Sequence, residues 1–317
     1  MEMKQNKRIV EYDIAKGVCI LLMVIGHSGI WKMTGVGLIT YNMIYAFHMP
    51  FFFFISGVTT DYSKDFWPFV KRRFKSLLVP FMCYYVIHLP CYTIINDCSM
   101  IELFIREMRM GVQGALWFVP TLFLSQLICR LVPKTQFLQM VSVVILSTVS
   151  SALCINDIHL PWHLSVLGIS AAYVVMGRMM TGGGISMSTT SKNYYQYLIA
   201  IIVLAAVTIL ISSKYPMGMY FDIIEPCMII MAGAVSGIMM VIMLAFVCNE
   251  RLPRLSRFLS YTGVNTFAFI AFSQIILVYE NYYIRDYIVL KYVILFLALY
   301  GIIYVKNLFP FAKKLRL

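Results

Sequence analysis

EYDIAKGVCILLMVIGHS, residues 11–28, sets an apolar run, Gly17 to Gly26, between a charged start (Glu11, Asp13, Lys16) and an imidazole near its end (His27). Ionisable groups cost free energy in lipid, so a helix that carries them at both ends turns them towards other helices or a wet cavity. The run is followed by others like it. A bilayer core of about 30 Å needs roughly 20 mostly apolar residues per helix. Ten such windows, bounded by charge clusters, run from Ile14 to Trp31, Ile39 to Val58, Leu77 to Ile95, Gly114 to Leu131, Leu138 to Ile155, His163 to Gly177, Gln196 to Ser212, Cys227 to Cys248, Tyr261 to Tyr279 and Ile288 to Val305. The expected fold is an all-α integral membrane protein of about ten transmembrane helices.

Composition agrees. The chain of 317 residues is 61% hydrophobic and 13% charged, against roughly 45–50% and 25% in a soluble domain, so water is not its main solvent. The connecting segments are too short to form a domain of their own, and residues 1–317 read as one transmembrane domain whose chemistry is done in the membrane or at its faces. A basic N-terminus ahead of an apolar run also resembles a signal peptide, but the run is long and lacks an A-x-A cleavage pattern, which favours an uncleaved first helix.

The net charge of +12 is explained without nucleic acid. If the N-terminus is cytoplasmic, twenty Lys and Arg fall on inward segments and six on outward ones, the bias expected of cytoplasmic loops. One missed or invented helix would flip every later loop, so both termini are expected in the cytoplasm. The eight cysteines form no CxxC pair and no His/Cys cluster at ligand spacing, and no metal is expected. Gly182 to Gly184 and the Ser/Thr-rich run from Ser186 to Ser191 lack the strand and helix that flank a phosphate loop, and read as a linker. No inverted repeat of the transporter kind stands out.

Lys16 and His27 are eleven residues apart. At about 100° and 1.5 Å per residue they return to within roughly 20° of one face, about 16 Å apart along the axis. Asp13, Ile20, Val24 and Trp31 lie near that face, so one crevice is expected to run from a charged end to an imidazole. Such a crevice suits a long phosphorylated acyl carrier whose phosphates stay with cations while its reactive end reaches the far side. The bland alternative is that Lys16 snorkels to the headgroups and His27 merely bonds a neighbouring helix.

Asp13-x-x-Lys16-Gly17, the histidine eleven residues after the basic residue, and Phe51-Phe-Phe-Phe-Ile-Ser56-Gly57 resemble the membrane acyltransferase-3 family. Pro68 to Pro80 with Lys71-Arg72-Arg73 looks like the family's basic inner loop, and Ala115-Leu-Trp117-Phe-Val-Pro120 like its Leu-Trp-Phe-Leu-Pro helix start. Phe47-His48-Met49-Pro50 and Leu160-Pro-Trp162 are similar to fucose O-acetylase-like members. The resemblance implies ten core helices, an acetyl-coenzyme A donor on the cytoplasmic side, and acetylation of a cell-envelope glycan or lipid-linked sugar, in the plasma or inner membrane of a bacterium. It puts the family's basic residue and histidine on Lys16 and His27, and favours Arg72 and Arg73 as further donor-binding residues. Many members carry a late histidine where this chain has Gln274.

Transfer of an acyl group from a thioester to an alcohol needs a base for the hydroxyl proton and a group that stabilises the oxyanion. Imidazole suits the first task, and His27 is the expected general base. His48, Trp117 and Asp13 are the substrate-contact candidates, Trp117 being read equally as an interfacial anchor. His88 sits in mid-span without a motif. His159, His163, Asp222 and Glu225 lie at outer helix ends where glycan hydroxyls could be bound. The competing functions are a secondary transporter or flippase that uses the same Lys and His as a substrate or proton site, and a non-catalytic membrane assembly protein.

Overall fold

A computed structural model describes residues 9–28, 35–181, 194–284 and 287–309. The Gly182–Ser191 linker, Trp31 and most of both termini lie outside them. Thirteen α-helices follow one another among the described residues. They are α1 (Val10–His27), α2 (Gly35–Thr59), α3 (Phe66–Arg73), α4 (Val79–Asn96), α5 (Met100–Met110), α6 (Phe118–Leu131), α7 (Gln136–Ile155), α8 (Leu167–Thr181), α9 (Tyr194–Lys214), α10 (Cys227–Arg251), α11 (Pro253–Val264), α12 (Thr266–Tyr283) and α13 (Ile288–Leu308). Within the described residues, each sequence window falls on helix. Eight helical segments are long and apolar enough to cross a membrane, and nine if a broken pair is one span. Helix α1 completes the ten windows, although Glu11, Asp13 and Lys16 make its first turns polar.

Two features depart from ten straight rods. The window from Tyr261 to Tyr279 is broken, and α11 and α12 meet at 78°. At the break Asn265 leaves helical geometry and its side-chain amide donates to the Tyr261 carbonyl. Irregular backbone at membrane depth is tolerated where it lines a cavity, which this break does. The second is α5, a short helix capped by the reciprocal Ser99 and Glu102 bonds. It exposes Met100, Ile101, Phe104, Ile105 and Met108 and buries Leu103 and Glu107, the pattern of a helix lying in the interface plane.

Lipid tails are as apolar as leucine, so helices in a membrane associate through close packing. Small residues supply it here. A methyl group on Gly17 would overlap the Leu259 carbonyl and one on Gly263 the Asp13 carbonyl, which fixes α11 against the first turns of α1. Gly57 and Gly177 do the same for α2 and α8. The core runs along α1, α2, α8 and α10, with Ile20, Val24, Phe47, Phe51, Phe53, Tyr173 and Ile238 fully buried.

Candidate functional site at the two ends of the first helix

The stripe on α1 opens onto two cavities, one at each end. The His27 cavity, of about 300 Å³, is lined by Gly26 and His27 from α1, Tyr41, Tyr45, His48 and Met49 from α2, Gly114, Ala115 and Trp117, Gln274 from α12, and Gly218 to Phe221. Helix α2 contributes through spacing, since positions 41, 45 and 48 fall on one helical face. His27 Nδ1 and Tyr45 Oη share a hydrogen bond of 2.7 Å. His48, 1% exposed, donates from Nδ1 to the Ile44 carbonyl at 2.8 Å. That bond requires a proton on Nδ1 and leaves Nε2 as the basic nitrogen of a neutral ring. The two imidazoles stand edge to face, 6.1 Å apart.

The remaining wall is aromatic. The His163 ring lies 4.7 Å from Trp117 and 4.8 Å from Tyr220. Trp162 and His163 both take left-handed φ angles, 58° and 55°, a conformation that side chains larger than glycine adopt at a cost. The indole of Trp162 holds that turn by donating to the Met108 carbonyl. The 218–221 rim is closed by paired backbone bonds between Gly218 and Ile223. His159 holds the rim from outside by donating to Asp222 at 2.7 Å. That bond raises the pKa of this exposed imidazole above its ordinary value.

The Lys16 cavity, of about 680 Å³, is lined at its charged end by Asp13, Lys16, Asn265, Lys306 and Asn307, and further in by Phe52, Phe118, Phe267 and Ile270. Lys16 donates to Asp13 at 3.1 Å, and Lys306 donates to Asn265 at the break between α11 and α12. Among the described lining residues, two ammonium groups against one carboxylate leave a surplus positive charge. These residues fit the phosphates of a nucleotide-bearing acyl carrier. Asp13, a substrate-contact candidate, therefore belongs to this cavity, about 21 Å along the axis from His27.

The single expected crevice is thus divided. Ile20 and Val24, the middle of the stripe, are fully buried, because apolar side chains close on one another where no charge holds them apart. The partition is thin. Consecutive residues Trp117 and Phe118 line opposite cavities, and Phe118 meets Phe52 ring to ring at 6.1 Å. Arg72 and Arg73 lie outside both linings. Arg72 bonds the Asp61 carbonyl and carboxylate, and Arg73 donates to Gln126. Both stand beside a third recess that includes Asp61, Lys134 and the buried Arg178. Hydrogen bonds from Ser63 are the main force holding the Asp61 carboxyl below its usual range, with Arg72 adding to it.

The sequence also matches a known family. An acyltransferase-domain family matches residues 9–307, nearly the whole chain. The chain belongs to the acyltransferase-3 family. It is a multi-pass membrane protein. A curated relative is the nodulation protein NolL of Mesorhizobium japonicum, 31% identical over 135 residues. That match covers 39% of this chain and 36% of NolL, so the chain spans little more than a third of the relative it matches. No solved structure matches the chain. Within the family reading, Gln274 gains a location: the position where many members carry a late histidine is in the wall of the His27 cavity. Tyr45 and the 218–221 rim were absent from the sequence candidates. The tyrosine was detectable from its spacing to His48, whereas nothing in the sequence of the rim marks its place.

Proposed function

We propose that this acyltransferase moves an acetyl or other short acyl group from a coenzyme A thioester to a hydroxyl of a cell-envelope glycan, with His27 as general base. The observation that carries the reading is the pair of chemically unlike cavities meeting at the Trp117–Phe118 step. Lys16 and Lys306 hold the anionic end of the donor. The apolar inner wall of their cavity accepts its uncharged arm, and the roughly 16 Å between Lys16 and His27 is within the reach of such an arm. With His27 Nδ1 donating to Tyr45, Nε2 takes the acceptor hydroxyl's proton as its oxygen attacks the thioester carbon. The Gln274 amide donates to the developing oxyanion, and the proton then passes to the departing thiolate. Trp117 and Tyr220 offer faces for a sugar ring. With both termini in the cytoplasm, donor and acceptor enter from opposite faces.

His48 is the specific rival for the base, since its Nε2 is basic and it lines the same cavity. Reconstituted protein is given acetyl-coenzyme A and a panel of envelope glycans, and the parent is compared with His27→Ala and His48→Ala. Acceptor-dependent transfer abolished only in His27→Ala supports the assignment. Transfer that survives His27→Ala and fails in His48→Ala moves the base to His48, and thioester left untouched with every acceptor favours transport.

A further inference from the structure

Glu107 and His88 make a buried pair that the proposed chemistry does not use. Glu107 is 1% exposed and His88 2%, and Nε2 of His88 donates to Oε1 of Glu107 at 3.1 Å. A buried polar pair of this kind is weak evidence for stability, since well-packed apolar residues of similar volume often serve as well. What singles this one out is a third partner. The same Oε1 accepts the Gln113 backbone N–H at 3.0 Å, just beyond the end of α5. There the chain turns through Gly111 and Gly114, both at positive φ. Burial alone would push the Glu107 carboxyl up, but the bonds from His88 and Gln113 work against it, and the pKa lies below the ordinary value.

The far side of the link is the His27 cavity. Gly114, Ala115 and Trp117 line it, and Gly114 sits so close to Tyr92 and Gln274 that a methyl there would press on Tyr92 Oη at 2.8 Å and Gln274 Oε1 at 3.1 Å. His88 stacks on Tyr92, ring centres 4.1 Å apart. Glu107 thus grips the link through its backbone, and His88 supports it through the tyrosine.

We infer that Glu107 and His88 are positioning residues that fix the 111–117 segment as the acceptor-side wall of the His27 cavity. For its kinetic consequence this rests on the acyl-transfer reading, but its structural consequence does not. The test compares the full-length membrane protein with Glu107→Gln, which keeps an oxygen for His88 and Gln113, and Glu107→Leu, which keeps volume and removes both bonds. Backbone amide exchange is followed over residues 110–118 with kinetics for each substrate. In Glu107→Leu, exchange there rises about tenfold, the size of one lost hydrogen bond. The acceptor KM rises by a similar factor while the donor KM holds. Glu107→Gln stays close to the parent in all three. Unchanged exchange in folded Glu107→Leu overturns the inference, as does equal damage in Glu107→Gln. If Glu107→Leu does not fold, His88→Phe retains the stack on Tyr92 and removes only the bond. Faster exchange over 110–118 is then expected, and unchanged exchange overturns the inference. If no acceptor is acylated by the parent, the transfer reading fails on its own and the exchange measurement still decides the positioning role.

Discussion

The two ends of α1 were expected to share one crevice and instead have different characters. The Lys16 end is the larger cavity, with two ammonium groups, a carboxylate and asparagines at its mouth and phenylalanines further in. The His27 end has less than half that volume and is lined by rings, a glutamine amide and two imidazoles, with no Asp, Glu, Lys or Arg among its described lining residues. The difference teaches how one helix divides its labour. Net charge in a membrane cavity selects an anion, whereas a neutral site with a basic ring nitrogen is suited to proton transfer at a hydroxyl. Consecutive residues, Trp117 and Phe118, line the two cavities, so the two tasks stay within reach of each other.

The largest expected effect belongs to the neutral end. Loss of a general base lowers a rate by about 10²–10⁴-fold, so His27→Ala should reduce acetyl transfer by at least about a hundredfold, with donor binding unchanged by equilibrium titration. Next comes Gln274→Leu. Removing one donor to an oxyanion costs about 10²–10³-fold in turnover, and a fall of about a hundredfold in kcat with both KM values near the parent's would separate the amide's role from simple packing. Lys16→Ala breaks the comparison from the other side. The donor KM should rise about tenfold, the acceptor KM should hold, and the salt dependence of donor binding should weaken. An equal rise in both KM values would mean that the cavities are not functionally distinct.

How much of this was legible in the sequence follows from what a single helix can reveal. Lys16, His27, His48 and Trp117 stood out because charge, imidazole or a motif interrupts an apolar run, and the structure places His27, His48 and Trp117 in one cavity. The windows were legible because length and hydropathy are local properties. The division of the crevice was not, since it involves Phe52 and Phe118, from different helices, meeting ring to ring. Nor was the pairing of His88 with Glu107, nineteen residues away on a helix that no apolar window announced. The bend at Asn265 was hidden for another reason: either side of it is apolar enough to be read as one span. The Gly17 and Gly263 contacts that make room for it are visible only in three dimensions.

The smallest effect is expected at the rim of the neutral cavity. His159 has a raised pKa through its bond to Asp222, so the charged pair is present below the ordinary imidazole range and is lost as pH rises through the raised value. Exposed pairs contribute little. The acceptor KM should therefore rise by no more than about threefold as pH increases through that window, and His159→Gln should flatten the profile while leaving kcat unchanged.

The most direct test of the two-ended account uses proteoliposomes of uniform orientation, with acetyl-coenzyme A supplied on one face and a membrane-impermeant acceptor glycan on the other. Transfer is predicted when the donor is on the Lys16 face and the acceptor on the His27 face, and not in the reverse arrangement. Transfer with both substrates confined to the Lys16 face would contradict it.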